Sequence, residues 1–145
     1  MTTQKHSLNV KGYTTPRAFS GFQVPVSVQS LVLRRYCENR GLIFNHHVSE
    51  NITPNSYLVL ERLVVEAHLY DIISMCSIGM LPNNRNRRTQ LIRRVLLEGV
   101  SLHFVFEQVI LTSCDDIEKL NVLTSLCNLI PDHESQVKYL RSVIK

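Results

Sequence analysis

The stretch "YDIISMCS", Tyr70 to Ser77, decides the fold. It is an unbroken apolar run of strand length behind an aspartate. A strand with one solvated face alternates apolar and polar residues, whereas an unbroken run is the mark of a parallel strand covered on both sides. A central parallel strand requires crossover connections through helices, so the residues on either side should read as alternating strands and helices.

They do. Leu8 to Thr14 has the composition of a short strand, and Pro16, Gly21 and Pro25 break regularity until a helix runs from about Pro25 to Arg40. Its expected inward stripe is Val28, Leu31, Val32 and Tyr36, and Gly41 stands where a left-handed cap is wanted. "LIFNHHV", Leu42 to Val48, is a second strand. Thr53 and Pro54 have the form of an N-cap with proline at the first helical position, opening a helix that carries Leu60, Leu63, Val64 and Ala67.

Beyond the central strand, "NNRNRRTQLIRRVLLEG" predicts a helix facing Leu91, Ile92, Val95 and Leu96 inward and ending at Gly99. "SLHFVFE" returns to strand, and "QVILTSC" adds a short fifth. Ser113 with Asp116 has the form of a weak capping box before a helix carrying Ile117, Leu120, Leu123 and Leu126 or Cys127. Pro131 stops that helix, and Asp132 could cap a last one carrying Val137, Leu140 and Ile144. The expectation is a single three-layer α/β domain over residues 1–145, flavodoxin-like or resolvase-like. Four or five parallel strands occupy residues 1–112, and one or two further helices fill 113–145.

Composition agrees with a globular domain. The chain has 145 residues, 44% hydrophobic and 19% charged, enough for one real core and too few for two catalytic lobes. The longest apolar run, Ile72 to Leu81, is half the length of about 20 residues that a membrane helix needs, and the first residues lack a signal-like apolar segment, which predicts a cytoplasmic protein with no membrane partner. Cys37, Cys76, Cys114 and Cys127 lack the spacing of a zinc site or a disulfide framework. No metal and no cofactor is expected. Net charge is +4, and the positive charge is local: Arg85, Arg87, Arg88, Arg93 and Arg94 lie within twelve residues that hold no acid. Such a surface suits a phosphorylated metabolite or a nucleic acid.

In a parallel α/β sheet, ligands bind beyond the carboxyl ends of the strands. The first strand end delivers Tyr13, Thr14, Thr15, Arg17 and Ser20 within "GYTTPRAFSG". The second delivers Ser49 and Glu50, the third Ser77, and the fourth Glu107. Glu50 and Glu107 are the expected acid/base pair, meeting Arg17 around a shared hollow. His103, four residues before Glu107 and on the same face of a strand, is a third candidate. Asn84 and Arg85 at the start of the third helix could hold an anion. Each has an ordinary explanation too: turn glycines, loop hydroxyls satisfying backbone groups, a helix cap for Glu50, a hydrogen-bonded core role for His103 and solvated arginines. His46 and His47 point to opposite faces of a strand and cannot share a metal. No G-x-S-x-G, Walker loop, dinucleotide fingerprint or H-E-x-x-H occurs, which excludes their mechanisms.

Two family resemblances follow from these residues. "GYTTPRAFSG", "VPVSVQSLVLRRYCENRGL", the glutamate of "VSEN", "YLVLERL", "LP" before basic residues, and "SLHFVFEQVIL" together resemble the sporadic carbohydrate cluster proteins over Lys11 to Leu111. This resemblance implies a part in making a surface polysaccharide or an unusual sugar. More distantly, "VSVQSLVLRRYCENRGL", "LVLERLV" and "QLIRRVLLEGVSLHFV" resemble in order the catalytic domain of serine recombinases, which implies a parallel α/β sheet. That family's chemistry does not follow, because Tyr13-Thr14-Thr15-Pro16 stands where recombinases carry a strand-end Arg-x-Ser-Thr. "IGMLPNN" likewise stands where they carry an Asp-Arg pair and a further arginine.

The expected function is therefore acid/base chemistry, such as epimerisation, isomerisation or dehydration, on a sugar phosphate or nucleotide sugar, an anionic small molecule. The alternative is a non-catalytic, recombinase-like binding or scaffold protein. A homo-oligomer is expected, and a nucleic-acid partner is favoured by the arginines alone.

Overall fold

The computed structural model describes residues 7–128, and the expected last helix with Val137, Leu140 and Ile144 lies outside them. β1 is Asn9–Thr14, α1 Val26–Arg40, β2 Ile43–Ser49, α2 Leu58–Val65, β3 Ile72–Met75, α3 Arg85–Leu97, β4 Ser101–Phe104, β5 Val109–Leu111 and α4 Asp116–Asn128. The strands form one sheet in the order β2-β1-β3-β4-β5. The quoted stretch is its centre: β3 is buried at every position, between β1 and β4.

The first four strands are parallel, but β5 runs antiparallel to β4, against the expectation of an all-parallel sheet. The connection explains the reversal. β4 stops at Phe104, and Val105 to Gln108 form a turn, with Gln108 in the left-handed region (φ 56°) and its N–H donating to Val105 O. Four residues can close a hairpin but cannot carry a crossover.

The pleat assigns each face its helices. Val10 and Ile72 pack with Cys37 of α1, while Tyr13, Ile73, Met75, Leu102 and Phe104 point the other way into the main core with Leu60, Leu63, Leu91, Ile92 and Val95 of α2 and α3. Gly12 shows the pressure on the α1 face. A β-carbon there would stand 2.9 Å from Phe44 and 3.1 Å from both His47 and Leu33, closer than van der Waals contact allows. The register to β2 also shifts between Lys11 and Gly12.

Two helix readings need correction. α1 turns Gln29, Ser30, Leu33 and Cys37 inward, and leaves Val28 and Leu31 exposed instead of burying them. α2 begins at Leu58, not at Thr53 and Pro54. Asn55 sits at φ 62°, a left-handed residue that no right-handed helix can pass through, so the helix starts after it. Other signals hold: Gly41 (φ 68°) and Gly99 (φ 76°) end α1 and α3, and all four expected α3 residues are buried.

Candidate functional site

Beyond the carboxyl ends of β1, β2, β3 and β4 the polar residues sort into three groups. The first surrounds Glu50, which is 3% exposed. Its Oε1 accepts the N–H groups of Asn51 (3.1 Å) and Val59 (3.3 Å), and its Oε2 accepts Leu60 N–H (3.1 Å) and the Tyr13 hydroxyl (2.9 Å). A carboxylate offers about four lone-pair sites, and four donors meet them here. Val59 and Leu60 belong to the first turn of α2, whose N-cap, Tyr57, makes no side-chain cap bond. Glu50 is thus the cap of α2, reaching it from nine residues upstream. Burial, followed by the neighbouring Glu50 charge, raises the Tyr13 phenol far above its ordinary value.

The second group fastens the loop after β1. Buried Gln29 of α1 accepts Thr15 N–H at Oε1 (3.1 Å), and its Nε2 donates to Thr15 O (2.7 Å) and Val24 O (2.8 Å). Thr15 Oγ1 accepts the Arg17 N–H, and Thr14 Oγ1 donates to Val48 O. The Arg17 guanidinium donates to Thr53 O (2.8 Å) and stands 4.8 Å from the Tyr57 ring centre. Arg87 comes to the same ring at 5.1 Å while bonding Glu61 at 2.7 Å. Two guanidiniums therefore converge on Tyr57, one from the β1 loop and one from the start of α3.

The third group is a hydrogen-bonded chain. Ser77 Oγ donates to Glu107 Oε1 (2.6 Å), accepts Gly79 N–H (3.1 Å) and lies 3.2 Å from Ser20 Oγ; Glu107 Oε2 accepts Ile78 N–H (3.2 Å). Burial raises the Glu107 carboxyl above its usual value, against the lowering effect of the Ser77 and Ile78 bonds. Ser20 and Gly21 form the two-residue link of a small hairpin between Phe19 and Phe22, closed by bonds of 2.9 and 2.8 Å, and both have positive φ (51° and 79°). Gly79 packs so tightly against this turn that a β-carbon would overlap Ser20 Oγ and stand 3.1 Å from Ser20 N. Gly79→Ala is therefore expected to push the turn away from Ser77 and cost about 1–3 kcal/mol, as overpacking does. Urea unfolding measures it, and an unchanged midpoint would show that the turn yields freely.

The remaining expected site residues lie elsewhere. His103 is on the α1 face of the sheet, where Nδ1 lies 2.7 Å from the Tyr36 hydroxyl; Glu107 is in the turn beyond β4, so the two do not share a strand face. Asn84 caps α3 by accepting Arg87 N–H, and Arg85 forms an exposed pair with Glu118 of α4. Arg88 is buried, donating to Pro82 O, Asn83 O and Asn121 Oδ1, with its pKa lowered by burial and then by Arg85. The arginine run thus serves several jobs: Arg88 clamps α4 to α3, and Arg87 meets Tyr57. Gln29 and Tyr57 were missed in the sequence reading. Gln29 had one signal, its place at the head of the i, i+4, i+8 line Gln29, Leu33, Cys37.

No family model matches the sequence, and no curated protein matches it. Solved structures do match in fold. The chain is similar to the N-terminal catalytic domain of TP901-1 integrase, with TM-score 0.64 and 15% identity over 83% of this chain and 95% of that one. It is similar to a resolvase family site-specific recombinase from Streptococcus pneumoniae, with TM-score 0.63 and 11% identity over 95% of this chain and 97% of that one. The C-terminal catalytic domain of ISC1926 TnpA, an IS607-like serine recombinase, gives TM-score 0.52 and 16% identity over 94% and 96%. The protein has the α/β fold of serine recombinase catalytic domains, with a five-stranded, mostly parallel sheet. At these identities the likeness is one of fold. Among the described residues no helix is long and apolar enough to cross a membrane.

Proposed function

We propose that this recombinase-fold domain is an enzyme of surface-carbohydrate biosynthesis, acting by acid/base chemistry on a phosphorylated or nucleotide-activated sugar. The observation that carries this reading is Glu107, a half-buried carboxyl of raised pKa at the carboxyl edge of the sheet, linked through Ser77 to the exposed Ser20. Raising a carboxyl's pKa makes it a stronger proton acceptor, which is what general-base chemistry needs. Arg17, whose guanidinium spends one bond on Thr53 O and rests against Tyr57, is the proposed anchor for the anionic part of the substrate. The sugar itself comes from the resemblance to the sporadic carbohydrate cluster proteins. Glu50 drops out of the proposed acid/base pair because its lone pairs are committed to the first turn of α2, the Asn51 N–H and the Tyr13 hydroxyl.

Thermal-shift measurements against sugar phosphates and nucleotide sugars test the reading. A ligand at 100 times its dissociation constant should stabilise the protein by about 2.7 kcal/mol. Arg17→Gln should weaken binding by about 1.5–3 kcal/mol, the worth of a charge-assisted hydrogen bond. Glu107→Gln should leave binding in place and remove turnover.

The second reading, a non-catalytic scaffold that assists a biosynthetic partner as a dimer, is favoured by Val28 and Leu31, which α1 leaves 43% and 64% exposed one turn apart. Absence of any shift across the panel, together with absence of turnover, would decide for it.

A further inference from the structure

Ser20 combines three properties that a turn residue does not need together. It is exposed, it holds a left-handed φ of 51° where glycine or asparagine is the usual choice, and its hydroxyl ends a chain leading to a carboxylate. The direction of the protons follows from the acceptors. Ser77 spends its only proton on Glu107 at 2.6 Å, so in the 3.2 Å contact Ser20 is the donor and Ser77 the acceptor. Ser77 Oγ accepts Gly79 N–H as well, which fixes its position. Gly79 leaves room for the Ser20 hydroxyl that any side chain would fill.

We propose that Ser20 is a nucleophile activated by Glu107 through Ser77, and that it takes an acyl group from a carboxylic ester carried by the sugar. The substrate's being a sugar rests on the function proposed above; the nucleophile does not. In the first step Ser20 Oγ attacks the acyl carbon while its proton passes to Ser77 and the Ser77 proton passes to Glu107. The bond from acyl carbon to the sugar oxygen breaks, and that oxygen takes the proton of Ser77 Oγ while Glu107 returns its proton to Ser77. Water, deprotonated along the chain, then attacks the acyl-serine and releases the carboxylic acid and free Ser20. A neutral acyl carbon fits better than a phosphorus centre. Ser20 leads to the Ser77 hydroxyl, the Glu107 carboxylate and the Ile78 and Gly79 amides, and among the described residues no arginine or lysine bonds into this chain to neutralise an anionic electrophile.

The test uses the full chain and two probes that need no knowledge of the sugar. Treatment with a fluorophosphonate ester should give one covalent adduct by intact mass, mapped to Ser20 by peptide sequencing, with loss of fluoride. p-Nitrophenyl acetate should give a burst of p-nitrophenol and an acetyl group on the same residue. Ser20→Ala, a change on an exposed turn, should abolish both. Ser77→Ala and Glu107→Gln should slow labelling by about 100-fold, the lower end of general-base effects. The labelling rate of the unaltered protein should rise with pH as Glu107 ionises. No adduct on the unaltered protein, or labelling of Ser20 at an unchanged rate in folded Ser77→Ala protein, overturns the proposal. Should Glu107→Gln fail to fold, the pH profile and Ser77→Ala decide alone. Labelling without any sugar-ligand shift would uphold the nucleophile and remove the sugar; a sugar shift without labelling would do the reverse.

Discussion

Glu50→Ala is expected to destabilise the domain by about 3 kcal/mol or more, because it strands three backbone N–H groups and the buried Tyr13 hydroxyl, each lost partner costing about 1–3 kcal/mol. The melting temperature should fall by on the order of 10 °C for a chain of this size. Tyr13→Phe removes one of the four donors and should cost about 1 kcal/mol. Glu50→Gln should fall between the two, since it keeps one oxygen as acceptor and turns an amide N–H against the remaining donors. The ordering separates the cap from a catalytic carboxylate, which would tolerate Gln with little loss of stability. Chemical unfolding of the three variants provides the measurement, and a midpoint for Glu50→Ala close to that of the unaltered protein would return Glu50 to the list of candidate acids and bases.

That same residue shows where sequence reading stops. Local patterns predicted the elements that depend on local patterns: the covered strand at Ile72 to Met75, the inward face of α3, and the glycines that end α1 and α3. Features decided by partners distant in the chain were not legible. Thr53 and Pro54 look like a helix start, but the cap comes from Glu50 and the helix waits until Leu58. Val28 and Leu31 look like the inner face of α1, yet Gln29 is buried because Thr15 and Val24 of the preceding loop satisfy its amide. Hydropathy counts the glutamine as polar and cannot see those partners. The site suffered in the same way. Ser20, Ser77 and Glu107 were each singled out, but their meeting depends on a tight hairpin at Phe19 to Phe22 and a turn after β4 that shortens the strand.

The second large effect is on pH dependence. His103 is buried between the sheet and α1, and burial, helped by the Arg40 charge, lowers its pKa from 6.5 to about 4. The folded protein therefore holds a neutral ring, with Nδ1 within hydrogen-bond distance of the Tyr36 hydroxyl. Between pH 6.5 and 4 the unfolded chain binds a proton at this position and the folded chain does not, so stability falls as pH falls through that window. The contribution is fully present above pH 6.5. At about 1.4 kcal/mol per pH unit, roughly 3 kcal/mol is lost by pH 4. Glu107 works in the opposite sense. Its raised pKa means that the fold takes up a proton there first, so this group gains stability as the pH drops. The two contributions are separated by comparison with His103→Asn, which can still bond the Tyr36 hydroxyl and does not titrate. Urea unfolding of both proteins from pH 7.5 to 4 should give a steeper decline for the unaltered chain, with the difference confined to the interval below pH 6.5. Parallel declines would mean that His103 titrates alike in both states and that its burial is relieved by water or by motion of Tyr36.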